Sequence, residues 1–178
     1  MSDGLMALLF TALGVGAKSL WDQLLARRAE RIKRSSEARL RYLEEQLSKF
    51  YWPFYTRLMR DNALWPHVEH RFGNDPDKAR IAQKLEAEVT LPNHAAMVQI
   101  LESNLHLAAG EPEVLDQVQR YIRHVAVYQA IRSAGIEDQD PIAHGEPWPG
   151  NLFPIIEART LALQKEYNSL LEEARQLL

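Results

Sequence analysis

Apolar residues recur every three or four positions along most of the chain, which is the spacing of one face of an α-helix. The clearest example lies between residues 112 and 134. Its apolar members are Val114, Leu115, Val118, Tyr121, Ile122, Val125 and Tyr128. No stretch alternates apolar and polar residues as a half-buried strand does. The pattern therefore predicts an all-α fold, a bundle of about four to six helices preceded by a long N-terminal helix whose first part is apolar.

Proline and glycine mark the expected ends of these helices. Residues 19–47 contain neither, so the first helix should be long, and Pro53 should kink or break it near Phe50. Residues 65–77 collect two prolines, a glycine and Asn-Asp, which favours a loop. Helix starts are predicted at Asp75-Pro76, Leu91-Pro92 and Glu111-Pro112 and close to Pro154. Gly110 and Gly135 should end helices, and residues 135–151 form the longest irregular segment.

The opening segment, residues 4–17, reads GLMALLFTALGVGA and carries no charge. A cleaved secretory signal would begin with basic residues, whereas this chain begins MSDG. Fourteen helical residues cover about 21 Å, less than the ~30 Å of a bilayer core, so a buried or self-associating helix end is an alternative. We favour a membrane anchor or assembly helix over residues 1–25. Its candidate contact residues are Leu5, Leu8, Leu9, Ala12, Gly14, Gly16 and Trp21.

A strongly basic stretch follows the apolar opening. Residues 18–41 carry eight Lys or Arg against three acids, whereas residues 42–178 carry thirteen against twenty. The candidates for contact with lipid head groups are Lys18, Arg27, Arg28, Arg31, Lys33 and Arg34. Residues 26–49 are accordingly interpreted as a basic juxtamembrane helix and residues 50–178 as a cytoplasmic helical bundle. The acidic bundle argues against nucleic acid as a partner.

The layout is similar to that of small bacterial proteins with one apolar N-terminal helix and a helical body. Because basic residues remain on the cytoplasmic side of a membrane, it implies the bacterial inner membrane, with the N-terminus outside. A cytoplasmic protein is the alternative.

Few residues are candidates for catalysis, metal binding or ligand contact. The chain has no cysteine and no phosphate-binding, dinucleotide-binding or hydrolase motif, so we predict no catalytic residue, metal or cofactor. His67, Glu69 and His70 are interpreted as solvated polar residues rather than metal ligands, and His124 as a hydrogen-bonded core residue. The aromatic residues around Pro53 should pack the core. The candidate ligand or partner contacts are Trp52, Tyr55, Arg120, Arg123 and Trp148.

These patterns favour a non-enzymatic, membrane-anchored helical protein that forms homo-oligomers. It would act as a scaffold, or as a membrane-acting effector such as one in phage defence, with membrane lipids and an unidentified protein as partners. Two alternatives remain open. One is a soluble helical subunit that uses its apolar N-terminus to join a larger complex, and the other is a helical ligand-binding sensor.

Overall fold

A computed structural model describes residues 3–136 and 138–176, apart from the side chains of residues 3–20 and of Asp22. The prediction of an all-α fold is confirmed. The helices are α1 (Asp3–Glu45), α2 (Trp52–Val68), α3 (Pro76–Leu85), α4 (Leu91–Asn104), α5 (Pro112–Ser133) and α6 (Leu152–Gln176). Two π-helical turns occupy Gln46–Tyr51 and Glu86–Thr90, and 3₁₀ turns occupy Glu69–Phe72, Leu105–Ala108 and Pro141–His144.

Two prolines that should break helices lie instead inside continuous ones. Pro53 and Pro92 each follow a π-helical turn by two residues, and the backbone keeps right-handed helical angles through Trp52 and Leu91. A proline lacks an amide hydrogen and its ring crowds the carbonyl four residues earlier, which here lies within the π-turn. The wider turn accommodates this conflict. The helix therefore continues past Phe50 without the break that was one of the two outcomes expected there, and the predicted helix start at Leu91 is wrong.

The predicted loop over residues 65–77 is also shorter than expected. Helix α2 includes Pro66 and ends at Val68, and a 3₁₀ turn then continues to Phe72. The start at Pro76 is confirmed, because the Asp75 carboxylate accepts hydrogen bonds from the amides of Asp77 and Lys78 at 3.1 and 3.2 Å. The end of α5 is confirmed as well, since Gly135 adopts the left-handed conformation (φ +74°).

Contacts divide the chain into two units, Met1–Tyr42 and Leu43–Leu178. The core of the second unit is aromatic at its centre, and Phe50, Tyr51 and Phe54 are fully buried there. The Phe54 ring lies 5.8 Å from the ring of Tyr121, which α5 contributes. Aromatic packing around Pro53 and the core-facing stripe of α5 are thus both confirmed.

In the first unit, the side chains described between Trp21 and Ala38 are all exposed. They include the apolar residues Trp21, Leu24, Leu25 and Ile32. The predicted contacts at Leu5, Leu8, Leu9, Ala12, Gly14, Gly16 and Lys18 lie outside the described side chains. Among the helices searched over the described residues, none combines the length and the apolar character needed to cross a membrane.

Candidate functional site: a pocket beside His94

A pocket of about 360 Å³ opens in the second unit between α2, α4, α5 and the loop after α5. We call it the His94 pocket and define it by Asp61, Thr90, His94, His124, Tyr128 and Trp148, which all line it. The π-turn before α4 contributes Thr90, and α4 itself contributes His94, so the two residues lie four positions apart on one helix face. The π-turn therefore supplies part of the site, as such turns often do.

His94 is held by a carboxylate. Its Nε2 lies 3.0 Å from Oδ2 of Asp61 on α2. The other Asp61 oxygen accepts a hydrogen bond of 2.7 Å from the amide nitrogen of Asn93. The Asn93 side-chain oxygen in turn accepts from Arg57 at 3.0 Å. All three of Asp61, Asn93 and His94 are buried. This network fixes the orientation of the imidazole.

Three buried side-chain atoms of residues that line the pocket have no hydrogen-bond partner within the part of the chain that the structure describes. They are Nδ1 of His94, Oγ1 of Thr90 and Oδ2 of Asp61, in residues that are 2%, 3% and 7% exposed. Buried threonine hydroxyls normally find a partner, and Thr160 does so by donating to the carbonyl of Ile156 at 2.6 Å. A buried polar atom without a partner costs about 1–3 kcal/mol. The residues that line the pocket thus carry three polar atoms whose hydrogen-bonding capacity the described chain does not use.

His124 supplies a further nitrogen. Its Nδ1 lies 2.8 Å from the carbonyl oxygen of Glu146, and since a carbonyl only accepts, Nδ1 must donate. Burial lowers the pKa of His124 most strongly, and nearby His94 lowers it further, whereas the Glu146 carbonyl and the carboxylates of Asp140 and Glu146 raise it. The net lowering keeps the ring neutral at pH 7. Nε2 therefore carries a lone pair. The prediction that His124 is a hydrogen-bonded core residue is confirmed.

Aromatic rings frame the pocket. The Trp148 indole stacks on His94, with ring centroids 6.0 Å apart and planes inclined by 30°, and it meets His124 edge-on at 5.3 Å. Trp65 and Phe72, which also line the pocket, are 47% and 48% exposed. Large aromatic side chains that remain this exposed beside a cavity are typical of ligand sites.

A buried charge cluster holds one wall of the pocket in place. The Glu86 carboxylate contacts Arg71, accepts a hydrogen bond from the Tyr128 hydroxyl and pairs with Nε of Arg132 at 2.9 Å. Burial raises the pKa of Tyr128, so the hydroxyl stays protonated and can donate. Arg132 also donates to the carbonyls of Ile136 and Gln139, at 2.8 and 2.7 Å. These bonds connect the loop after α5 to the helices behind it.

The structure brings together only part of the set predicted from sequence. Trp148 lines the His94 pocket. Arg120 and Arg123 instead lie, with Trp148, beside a second and more open pocket of about 380 Å³, where they pair with Asp116 and Glu146.

Trp52 and Tyr55 lie elsewhere and bond to side chains of α6. The Trp52 indole donates to Gln164, and the Tyr55 hydroxyl donates to Glu157. Within the described residues, no group of three or more His, Asp or Glu is placed to hold a metal ion.

Asp61, Thr90 and His94 were not predicted as site residues. The four-residue spacing of Thr90 and His94 is visible in the sequence, but the predicted helix start at Leu91 placed them on different elements. Comparison of the chain with protein-family models, with curated proteins and with solved structures finds no match. The function of the protein is therefore inferred from the geometry of the pocket.

Proposed function

We propose that the Leu43–Leu178 unit binds a small molecule in the His94 pocket and that the protein acts as a helical ligand-binding sensor. The observation that carries this proposal is the set of three unpartnered buried atoms, His94 Nδ1, Thr90 Oγ1 and Asp61 Oδ2, in residues that line one cavity. A ligand that bonds to these atoms would remove a cost of about 1–3 kcal/mol for each.

The size and composition of the pocket support the same proposal. Small-molecule sites commonly measure about 300–1,000 Å³ and combine apolar walls with a few fixed polar groups. The His94 pocket, at about 360 Å³, has aromatic walls and an imidazole whose orientation a carboxylate fixes. Such an arrangement is organised before a ligand arrives, which lowers the entropic cost of binding.

Thermal unfolding with four classes of small molecule tests the proposal. The classes are uncharged heterocycles, carboxylates, phosphate esters and organic ammonium ions. At least one class should raise the midpoint, because a ligand at 100 times its dissociation constant stabilises the folded state by about 2.7 kcal/mol. The Trp148→Leu variant should lose this response. Trp52→Leu is the matched control, since Trp52 bonds to Gln164 instead, and it should keep the response.

The pocket proposal is contradicted if no class raises the midpoint. It is equally contradicted if Trp148→Leu responds as strongly as the unchanged protein.

We also propose a second function, the attachment of the N-terminal helix to an anionic membrane surface. The observation that favours it is an exposed apolar stripe on α1 that contains Trp21, Leu25 and Ile32, spaced four and seven residues apart. Arg28 lies at one edge of this stripe and Arg31 lies further round on the same side, whereas Arg27 and Arg34 lie nearer the opposite face, and all four are exposed. Apolar side chains flanked by arginines suit the boundary between anionic head groups and acyl chains. They suit a second copy of the same helix less well, because its arginines would repel.

Charge reversal tests this second function. The change of Arg27, Arg28, Arg31 and Arg34 to Glu should abolish co-sedimentation with anionic phosphatidylglycerol vesicles, because each basic residue near such a surface contributes about 1 kcal/mol. The matched control reverses four exposed arginines of the other unit, Arg60, Arg80, Arg120 and Arg175, and changes the net charge equally. Control and unchanged protein should both co-sediment at low salt. Equal binding by the two reversed variants would refute membrane attachment through α1.

A further inference from the structure

We propose that the ligand of the His94 pocket is an uncharged planar heterocycle that donates hydrogen bonds from ring N–H or amino groups, which is the chemistry of a nucleobase. This inference rests on the ligand-binding function proposed above and names the class of compound that the same site selects.

The polar atoms that remain available in the pocket are mainly acceptors. Nδ1 of His124 donates to the Glu146 carbonyl, which leaves a lone pair on Nε2 of the neutral ring. Oδ2 of Asp61, a carboxylate oxygen that can only accept, has no hydrogen-bond partner among the described residues. The Thr90 hydroxyl can either donate or accept. The imidazole acceptor of His124 and the carboxylate acceptor of Asp61 therefore call for a ligand that donates.

The ionised side chains on the lining already have partners in the protein. Arg132 pairs with Glu86, and Asp61 lies 3.0 Å from His94 and accepts from Asn93. The Asp140 carboxylate accepts from the amides of Ile142 and Ala143, at 2.9 and 3.3 Å. A charged ligand would lose its hydration in a site with apolar walls, where the lining cation is already paired and the lining carboxylates already contact donors, and this is unfavourable. An uncharged ligand avoids this cost.

The walls of the pocket favour a flat ring. The lining includes the aromatic rings of Trp65, Phe72, Tyr128 and Trp148. Planar π-systems stack on such faces with little dependence on their substituents, as bases do on the aromatic platforms of nucleic-acid-binding proteins. Stacking would thus hold the ring, while His124 Nε2, Asp61 Oδ2 and the Thr90 hydroxyl would select its donors.

Isothermal titration of the full-length protein with matched compounds tests the ligand class. Adenine and cytosine carry ring N–H and amino donors, whereas N6,N6,9-trimethyladenine keeps the same bicyclic ring without any donor. Benzoate, phenyl phosphate and benzyltrimethylammonium represent charged aromatic ligands. At least one base should bind, with an affinity tenfold or more above those of the trimethylated and charged compounds, because unmet buried acceptors penalise a ligand without donors.

Each of three variants removes one polar atom from the pocket lining and keeps the side chain's contact with its protein partner where it has one. His94→Gln keeps a donor for Asp61 but lacks Nδ1, and His124→Asn keeps a donor for Glu146 but lacks Nε2. Thr90→Val removes only the hydroxyl. Each variant should weaken base binding by about tenfold, the effect of one lost hydrogen bond in a buried site.

Thr90→Val separates ligand binding from structural support. The hydroxyl has no hydrogen-bond partner among the residues that the structure describes, so its removal should leave the thermal midpoint unchanged or higher while base binding weakens. The control Thr160→Val removes a buried hydroxyl that donates to Ile156 and lies outside the pocket lining. It should lower the midpoint and leave base binding unchanged.

The pH dependence of binding gives a further readout. The pKa of His124 is lowered in the folded protein, so its ring is neutral at pH 7 and gains a proton only in acid, below its ordinary value of 6.5. Protonation converts the Nε2 acceptor into a donor. Base affinity should accordingly fall as the pH drops from 7 to 5. The His124→Asn variant should already bind the bases more weakly at pH 7, and its affinity should fall less between pH 7 and pH 5.

The outcomes distinguish the two levels of the proposal. If a charged compound binds more tightly than the bases and the three variants weaken its binding, the ligand class is wrong and the pocket function stands. If Thr90→Val, His94→Gln and His124→Asn all bind the bases as the unchanged protein does, the assigned contacts are overturned. If no compound of any class binds, both the ligand class and the ligand-binding function are overturned.

Discussion

Replacement of Glu86 by Gln is expected to lower the free energy of unfolding by about 3–5 kcal/mol, the usual effect of removing one partner from a buried ion pair. The Glu86 carboxylate lies between Arg71 and Arg132, whose side chains are only 3% and 10% exposed. A neutral amide would leave two buried guanidinium groups without their countercharge. Chemical denaturation followed by circular dichroism measures the change.

Glu88→Gln is the matched control, since it makes the same chemical change two residues away in the same π-turn. Glu88 is exposed and pairs with Lys84, which is also exposed, at 2.7 Å. Exposed ion pairs contribute about 0–1 kcal/mol, so this variant should lie close to the unchanged protein. Similar losses in the two variants would show that Glu86 is not the centre of a buried charge cluster.

Phe54→Ala should lower the free energy of unfolding by about 3–5 kcal/mol, because truncation of a buried phenylalanine removes apolar contacts and leaves a cavity. Phe54 on α2 is fully buried, and its ring lies 6.0 Å from the ring of Phe50 and 5.8 Å from the ring of Tyr121. It therefore connects α2 to α5. The same denaturation experiment measures the loss.

Phe72→Ala serves as its control, because the Phe72 ring is about half exposed at the pocket mouth. We expect a loss below about 1 kcal/mol. A cost for Phe54→Ala no greater than that of Phe72→Ala would mean that the aromatic core is placed incorrectly.

Local sequence signals were sufficient for the helical fold. The apolar spacing along α5 places Val118, Tyr121 and Val125 in the core, and all three are buried. The caps at Asp75 and Gly135 are also local, since a side chain or a positive φ within a few residues determines each. Periodicity and capping therefore predict the elements of this chain well.

Proline was misinterpreted for an identifiable reason. At Pro53 and Pro92 a π-helical turn accommodates the ring, and the helix continues. Whether a proline breaks a helix depends on how the turn before it packs. The turn before Pro53 places Leu47, Phe50 and Tyr51 in the core, and the turn before Pro92 buries Glu86 and Thr90. Tertiary packing of this kind cannot be predicted from the position of the proline alone.

The candidate site depended on contacts between distant residues. Asp61 and His94 are 33 positions apart, and neither has a neighbour that marks it as a site residue. Trp148 was singled out because it lies between two prolines in a long loop, a local signal, and it does line the pocket. A buried Asp–His pair became visible only when α2 and α4 were placed against each other.

Indole N–H resonances of the ¹⁵N-labelled protein test ligand binding in the His94 pocket most directly. The chain has four tryptophans; Trp65 and Trp148 line the pocket, Trp52 bonds to Gln164, and Trp21 lies on α1. Adenine, benzoate, phenyl phosphate and benzyltrimethylammonium are added in turn. We predict that at least one compound, with adenine expected to act at the lowest concentration, shifts the Trp65 and Trp148 resonances and leaves those of Trp21 and Trp52 in place. Four unmoved resonances with every compound, or shifts of Trp21 and Trp52 as large as those of Trp65 and Trp148, would contradict ligand binding at this pocket.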